Sequence, residues 1–142
     1  MRSRTPSVFA LAVWVALLTL NTQVLAANDK SQAETAADQW LALIDSGKYG
    51  ESWDHAATLF KAALPREQWV SAMQSMRTQL GVTNARSRTT STYTRTLPGA
   101  PEGEYVVIQF QSDFANKNGA IETVTPMEDE KGVWKISGYF IR

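Results

Sequence analysis

The side chains that could do chemistry are few. Of 142 residues, 14 are Asp or Glu, 14 are Lys or Arg, one is His and none is Cys. Without Cys there are no catalytic thiols, thiolate zinc sites, disulfide staples or lipid-modified N-terminal Cys. A single His excludes the paired-His helix motif. No Gly-x-Ser-x-Gly elbow and no phosphate-cradling glycine loop occurs. No metal and no cofactor is therefore expected.

Four groups remain. Glu122 lies in a strand-like stretch, Ile121 to Met127, with apolar groups on both faces, so the pattern does not say which face is inward. On an inward face its carboxyl would need a cation, and Arg88 or Lys135 could supply one. In a pocket, Glu122 could instead act as general acid or base, with Arg88 or Tyr93 polarising a ligand. That would make the protein a small-molecule enzyme of isomerase, dehydratase or hydrolase type. The balance of residues favours the structural ion pair. His55 falls about 200° around its helix from Trp53, on the solvent side, with Glu51 one turn before it as a weak surface partner. Arg86, Arg88 and Arg95 cluster in one Thr- and Ser-rich stretch, where they read as protection of an edge strand, with an anion clamp by Arg88 as the sharper alternative. The loop Leu97-Pro98-Gly99-Ala100-Pro101-Glu102-Gly103 is stiffened by its prolines, and Leu97, Pro98 and Pro101 are its candidate partner contacts.

The elements that must position these groups follow from periodicity. Arg2 and Arg4, a 13-residue apolar run from Val8 to Leu20, and Val24-Leu25-Ala26 form the pattern of a secretory signal peptide cleaved near Ala26. The run is too short to span a bilayer comfortably. The expected location is therefore periplasmic or secreted, with no stable membrane span after cleavage. Without residues 1–26 the balance is 12 bases against 14 acids over 116 residues, a net charge of −2 that gives little pull on nucleic acid.

Residues 27–33 read as a short polar lead-in. The capping box Ser31-x-x-Glu34 predicts the start of a first helix, with Ala33, Ala36, Ala37, Trp40, Leu43 and Ile44 as its apolar stripe and Gly47 as its stop. A second helix is expected over about 50–64, carrying Trp53, Ala56, Ala57, Phe60, Ala63 and Leu64. A third is expected over 65–80, with Trp69, Met73, Met76 and Leu80 inward. The three tryptophans read as core, or one of them as a pocket-mouth donor.

Beyond Gly81 the period becomes two. Strands are expected over 86–97, 104–114, 120–127 and 133–141, with a hairpin turn at Asn116-Lys117-Asn118-Gly119. Val106, Ile108, Phe110 and Phe114 should point inward, as should Trp134, Ile136 and Phe140. The fold class is thus α+β: three N-terminal helices packed on a curved four-stranded antiparallel sheet, whose curl should leave a cone-like pocket.

The motifs Trp40-Leu-Ala-Leu-Ile-Asp45, Ser52-Trp53, Glu67-Gln-Trp69, Leu97-Pro-Gly-Ala-Pro-Glu-Gly103, Glu122-Thr-Val-Thr-Pro-Met127 and Gly138-Tyr-Phe-Ile141 resemble the bacterial family catalogued as domain of unknown function 4019. The resemblance covers residues 34–142 as a single domain and implies no activity or catalytic residue. The order of elements is also similar to the cystatin-like and nuclear-transport-factor-two-like architecture, a fold analogy that carries no function. The expectation is an exported, non-enzymatic module that binds an envelope protein or small ligand.

Overall fold

A computed structural model describes residues 9–142, with side chains from Ala26 onward. The part of the signal-peptide reading that rests on residues 1–8 lies outside the described residues.

The first helix, α1, spans Phe9–Asp45, so it does not begin at Ser31. No Gly or Pro occurs between those ends to break it, and Lys30, Gln32 and Ala33 are good helix formers. The expected capping box does not form. Instead Thr35 Oγ1 donates back to the Ser31 carbonyl at 3.0 Å, and Glu34 turns to Arg88. The lead-in over 27–33 is thus helical. The stop at Gly47 stands: its φ of +74° lets the Lys48 amide bond the Leu43 carbonyl at 2.9 Å.

The expected second helix divides into α2 (Tyr49–Asp54) and α3 (Thr58–Ala63). Ala57 between them is extended, and its amide donates 2.8 Å to the Ile136 carbonyl. A sheet carbonyl thus takes a donor that a continuous helix would use internally. The helix α4 (Arg66–Leu80) follows Pro65 and ends at Gly81. The described chain therefore has four helices rather than three.

The strands are β1 (Thr83–Thr94), β2 (Tyr105–Phe114), β3 (Lys117–Glu128) and β4 (Trp134–Ile141), antiparallel in the order β1-β2-β3-β4. α1 lies across all four and α3 against β4. The hairpin turn is Ala115-Asn116, one step earlier than expected, because Phe114 pairs with Lys117. Gly119 sits beyond a register shift, with φ +68° and its amide bonded to Asp113 Oδ1 at 2.7 Å.

Val106, Ile108, Phe110 and Phe114 are buried as expected. Phe140 is not: it is 53% exposed. A register shift falls where Thr125 pairs with Gly138 and Pro126 with Ile136, and one added residue reverses every later side chain. Tyr139 takes the inward position, joining Trp40, Phe60 and Trp69 in an aromatic cluster with ring centroids 5.0–6.2 Å apart. That cluster joins α1, α3, α4 and β4.

Candidate functional site

The indole donors of the helical tryptophans come first. Trp40 Nε1 donates to the Ser52 carbonyl at 2.8 Å, Trp69 Nε1 to Ser52 Oγ at 2.9 Å and Trp53 Nε1 to the Leu64 carbonyl at 2.7 Å. All three tryptophans are structural, and none turns its indole N–H to a pocket mouth. Ser52, fully buried at their centre, is a small polar hub that apolar patterning passes over.

Glu122 faces inward and is fully buried. Neither cation proposed for it is its partner. Arg88 reaches α1 instead, bonding Glu34 and Asp38 at 2.8 Å each, and Lys135 pairs with Asp129 at 3.0 Å. Arg86 Nε donates to Glu122 Oε1 at 2.7 Å, Ser112 Oγ to the same oxygen at 2.5 Å, and Tyr139 OH to Oε2 at 2.5 Å. The guanidinium of Arg77 stands 4.0 Å from Oε2.

The same arginines hold Asp45 at the end of α1. Arg86 gives Asp45 two bonds, at 2.6 and 3.0 Å, and Arg77 one at 2.9 Å. Thr83 Oγ1 donates to Asp45 at 3.0 Å and accepts from Arg77 at 2.8 Å. Two guanidiniums thus meet two carboxylates, and every carboxylate oxygen accepts from a side chain of this chain. Arg77 also lies over the Phe114 ring at 4.9 Å from the centroid.

The electrostatics follow the geometry. Burial works against the charge on Asp45, but the hydrogen bond and charge of Arg86, with Thr83 and Arg77, outweigh it and hold Asp45 below its ordinary 3.8. Burial likewise opposes the charge on Arg86, yet its bonds to Asp45 and Glu122 prevail and raise it. Burial first, then the neighbouring Glu122, pushes the Tyr139 phenol upward, so it serves Glu122 as a donor.

An open cleft of about 480 Å3 reaches the Asp45–Arg77–Thr83 end of this cluster, and Ile44 and Tyr49 also line it. Glu122 does not line that cleft. Arg88 shares the inner face and the register row of Phe110 and Glu122 but spends its donors on α1. Tyr93 lies further along β1, 40% exposed, and makes no bond to Glu122. The three residues proposed as a ligand site are therefore on one face without converging.

The edge-protection reading changes too. Arg86 and Arg88 turn inward, and Arg95 pairs with Glu102 and Glu104 at 3.5 and 3.3 Å. In the loop, Pro98 and Pro101 are exposed and Leu97 half-buried. Tyr105 OH donates to the Pro101 carbonyl at 2.7 Å, and Gly103 N to the Arg95 carbonyl at 3.1 Å. His55 is exposed as expected, while Glu51 pairs with Lys48.

Asp45, Arg77, Thr83, Arg86, Ser112 and Tyr139 were missed as members of the cluster. Signals existed for two of them. Arg77 stands four residues after Met73 on the inward stripe of α4, and Ser112 lies between Phe110 and Phe114 on the inward face of β2.

Among the described residues, no group of His, Cys, Asp and Glu has the arrangement of a metal site, and no helix is long and apolar enough to cross a membrane. The family model described as Protein of unknown function (DUF4019) matches residues 36–139, most of the chain, and the chain belongs to that family. Searches of curated proteins and of solved structures give no match.

Proposed function

We propose that this member of the DUF4019 family is an exported, non-enzymatic binding module of the cell envelope, with an envelope protein or small ligand as its partner. The observation that carries this reading is the enclosure of Glu122. Its oxygens are taken by Arg86, Ser112 and Tyr139, and a carboxylate so occupied braces the fold and has no lone pair aimed at a substrate. The enzyme reading needs Glu122, Arg88 and Tyr93 in one concavity, and each has a different environment.

Export is supported by the arginine start, the apolar run and the Val24-Leu25-Ala26 site. Edman sequencing of the exported protein is expected to begin at Ala27; an N-terminus at Met1 overturns cleavage. We also read the arrangement as cystatin-like or nuclear-transport-factor-two-like, because α1 lies across an antiparallel sheet with the helices on one face.

The Leu97–Gly103 loop is the proposed partner contact. Its prolines are exposed, while the bonds to Tyr105 and Arg95 hold its shape, so docking costs little conformational entropy. Pull-down from envelope extract, with the chain and with a Pro98→Ala/Pro101→Ala variant, tests it. Loss of a captured partner in the variant is expected, and equal recovery removes the loop from the account.

A further inference from the structure

β4 is an edge strand, because it pairs with β3 alone. Its outer side is closed at one point. Ala57, extended between α2 and α3, donates its amide to the Ile136 carbonyl at 2.8 Å, as a residue of a neighbouring strand would. Backbone groups alternate sides along a strand, so those of Trp134 point the same way as the Ile136 carbonyl. Its register partner agrees: Glu128 stands opposite Trp134 and sends its amide to the Glu104 carbonyl at 3.0 Å, away from β4. The Trp134 amide and carbonyl therefore face away from β3, and neither has a backbone partner among the described residues. Space lies beside them. An open cleft of about 340 Å3 separates Val133–Ile136 from Gln39 and Leu43 of α1 and His55 at the end of α2. A second cleft of the same volume adjoins it along α1 and shares Gln39, Val133 and Trp134. Trp134 lines both clefts and is only 7% exposed, yet its Nε1 has no acceptor among the described residues. Trp40, Trp53 and Trp69 all spend theirs within the fold.

We infer that this edge receives an extended peptide of a partner protein, which adds a strand to β4 beside Ala57. The chemistry of the edge selects that occupant. A backbone donor and a backbone acceptor stand together on Trp134, the arrangement that exchanges two hydrogen bonds with one residue of an antiparallel strand. A hydrocarbon chain offers neither, and a lone anion has nothing to donate to the carbonyl. Ala57 already uses the same edge in this way, one step along it. The peptide residue opposite Trp134 turns its side chain to the same face as the indole, so an amide or hydroxyl there gives Nε1 its acceptor. Val133, 47% exposed just before β4, offers an apolar contact to the next residue.

Nuclear magnetic resonance of the isotope-labelled protein, titrated with the blocked neutral peptide acetyl-Thr-Val-Gln-Val-Thr-amide, tests this. The peptide is taken to about 10 mM, because a few main-chain hydrogen bonds give a Kd of roughly millimolar order. The Trp134 backbone and indole N–H resonances should move and saturate. A twin peptide N-methylated at its Gln cannot donate to the Trp134 carbonyl and should bind about tenfold more weakly. Trp134→Phe keeps a ring, loses the indole donor and should weaken the unmodified peptide about threefold to tenfold. No movement at Trp134, equal binding of the twin, or equal binding by Trp134→Phe overturns the inference. So do Trp134 resonances that move with protein concentration alone, as a second copy on the edge would cause. Should Trp134→Phe fold poorly, the twin peptide decides. The site shares no residue with the Leu97–Gly103 loop, so the Pro98→Ala/Pro101→Ala variant should bind the peptide as the native chain does, and failure here leaves the loop reading standing.

Discussion

Tyr139 shows what a single side chain contributes to the buried cluster. Its ring packs on Trp40 at 5.2 Å, and its hydroxyl is the only hydrogen-bond donor to Glu122 Oε2 among the described residues. Tyr139→Phe keeps the ring and removes that bond. Leaving a buried carboxylate oxygen short of a partner costs about 1–3 kcal/mol, and urea unfolding should show that loss with an unchanged m-value. Asp45 supplies the pH dependence. Its pKa is lowered in the folded chain, so its contribution to stability is fully present above its ordinary 3.8 and is lost as pH falls through the lowered folded value. Stability of the native chain should therefore fall more steeply below about pH 4 than that of Asp45→Asn, by up to about 1.4 kcal/mol per pH unit. Equal slopes would remove Asp45 from the acid transition.

At the scale of elements, most of the fold is legible wherever periodicity meets a strong punctuator. Gly47, Pro65 and Gly81 stop or start helices where the sequence says they should. Features created by tertiary hydrogen bonds are not legible. Ala57 reads as one more apolar helical residue, and only the Ile136 carbonyl on a distant strand explains the break there. The register shift in β4 has Gly138 as its one local sign, and alternation alone passes over it, so Phe140 reads as core and stands outside. Gly119 offers a test of the β2–β3 geometry. A Cβ there would meet nothing within 4 Å, so the cost of Gly119→Ala is that of a positive φ alone, about 1–2 kcal/mol. Gly119→Asn should lose less, because Asn tolerates that region. Thermal unfolding of the two variants checks the order, and equal losses would contradict the backbone explanation.

For the whole molecule, the cluster ties distant parts of the chain together. Asp45 ends α1, Arg77 belongs to α4, and Arg86, Ser112, Glu122 and Tyr139 come one from each strand. The sequence offers Glu122 as the uncomfortable residue and names the wrong cations, Arg88 and Lys135, for a physical reason. A long guanidinium side chain can reach several acids, and the crossing of α1 over β1 decides which. We propose that Glu122 braces the fold rather than acting on a substrate, and Glu122→Gln tests this most directly. Removing one charge leaves Arg86 buried against an incomplete set of acids, so urea unfolding should show a single cooperative transition with about 3–5 kcal/mol less stability. A variant as stable as the native chain, or more stable, would contradict the account, because that is the behaviour of a carboxylate kept in place for function at the expense of stability.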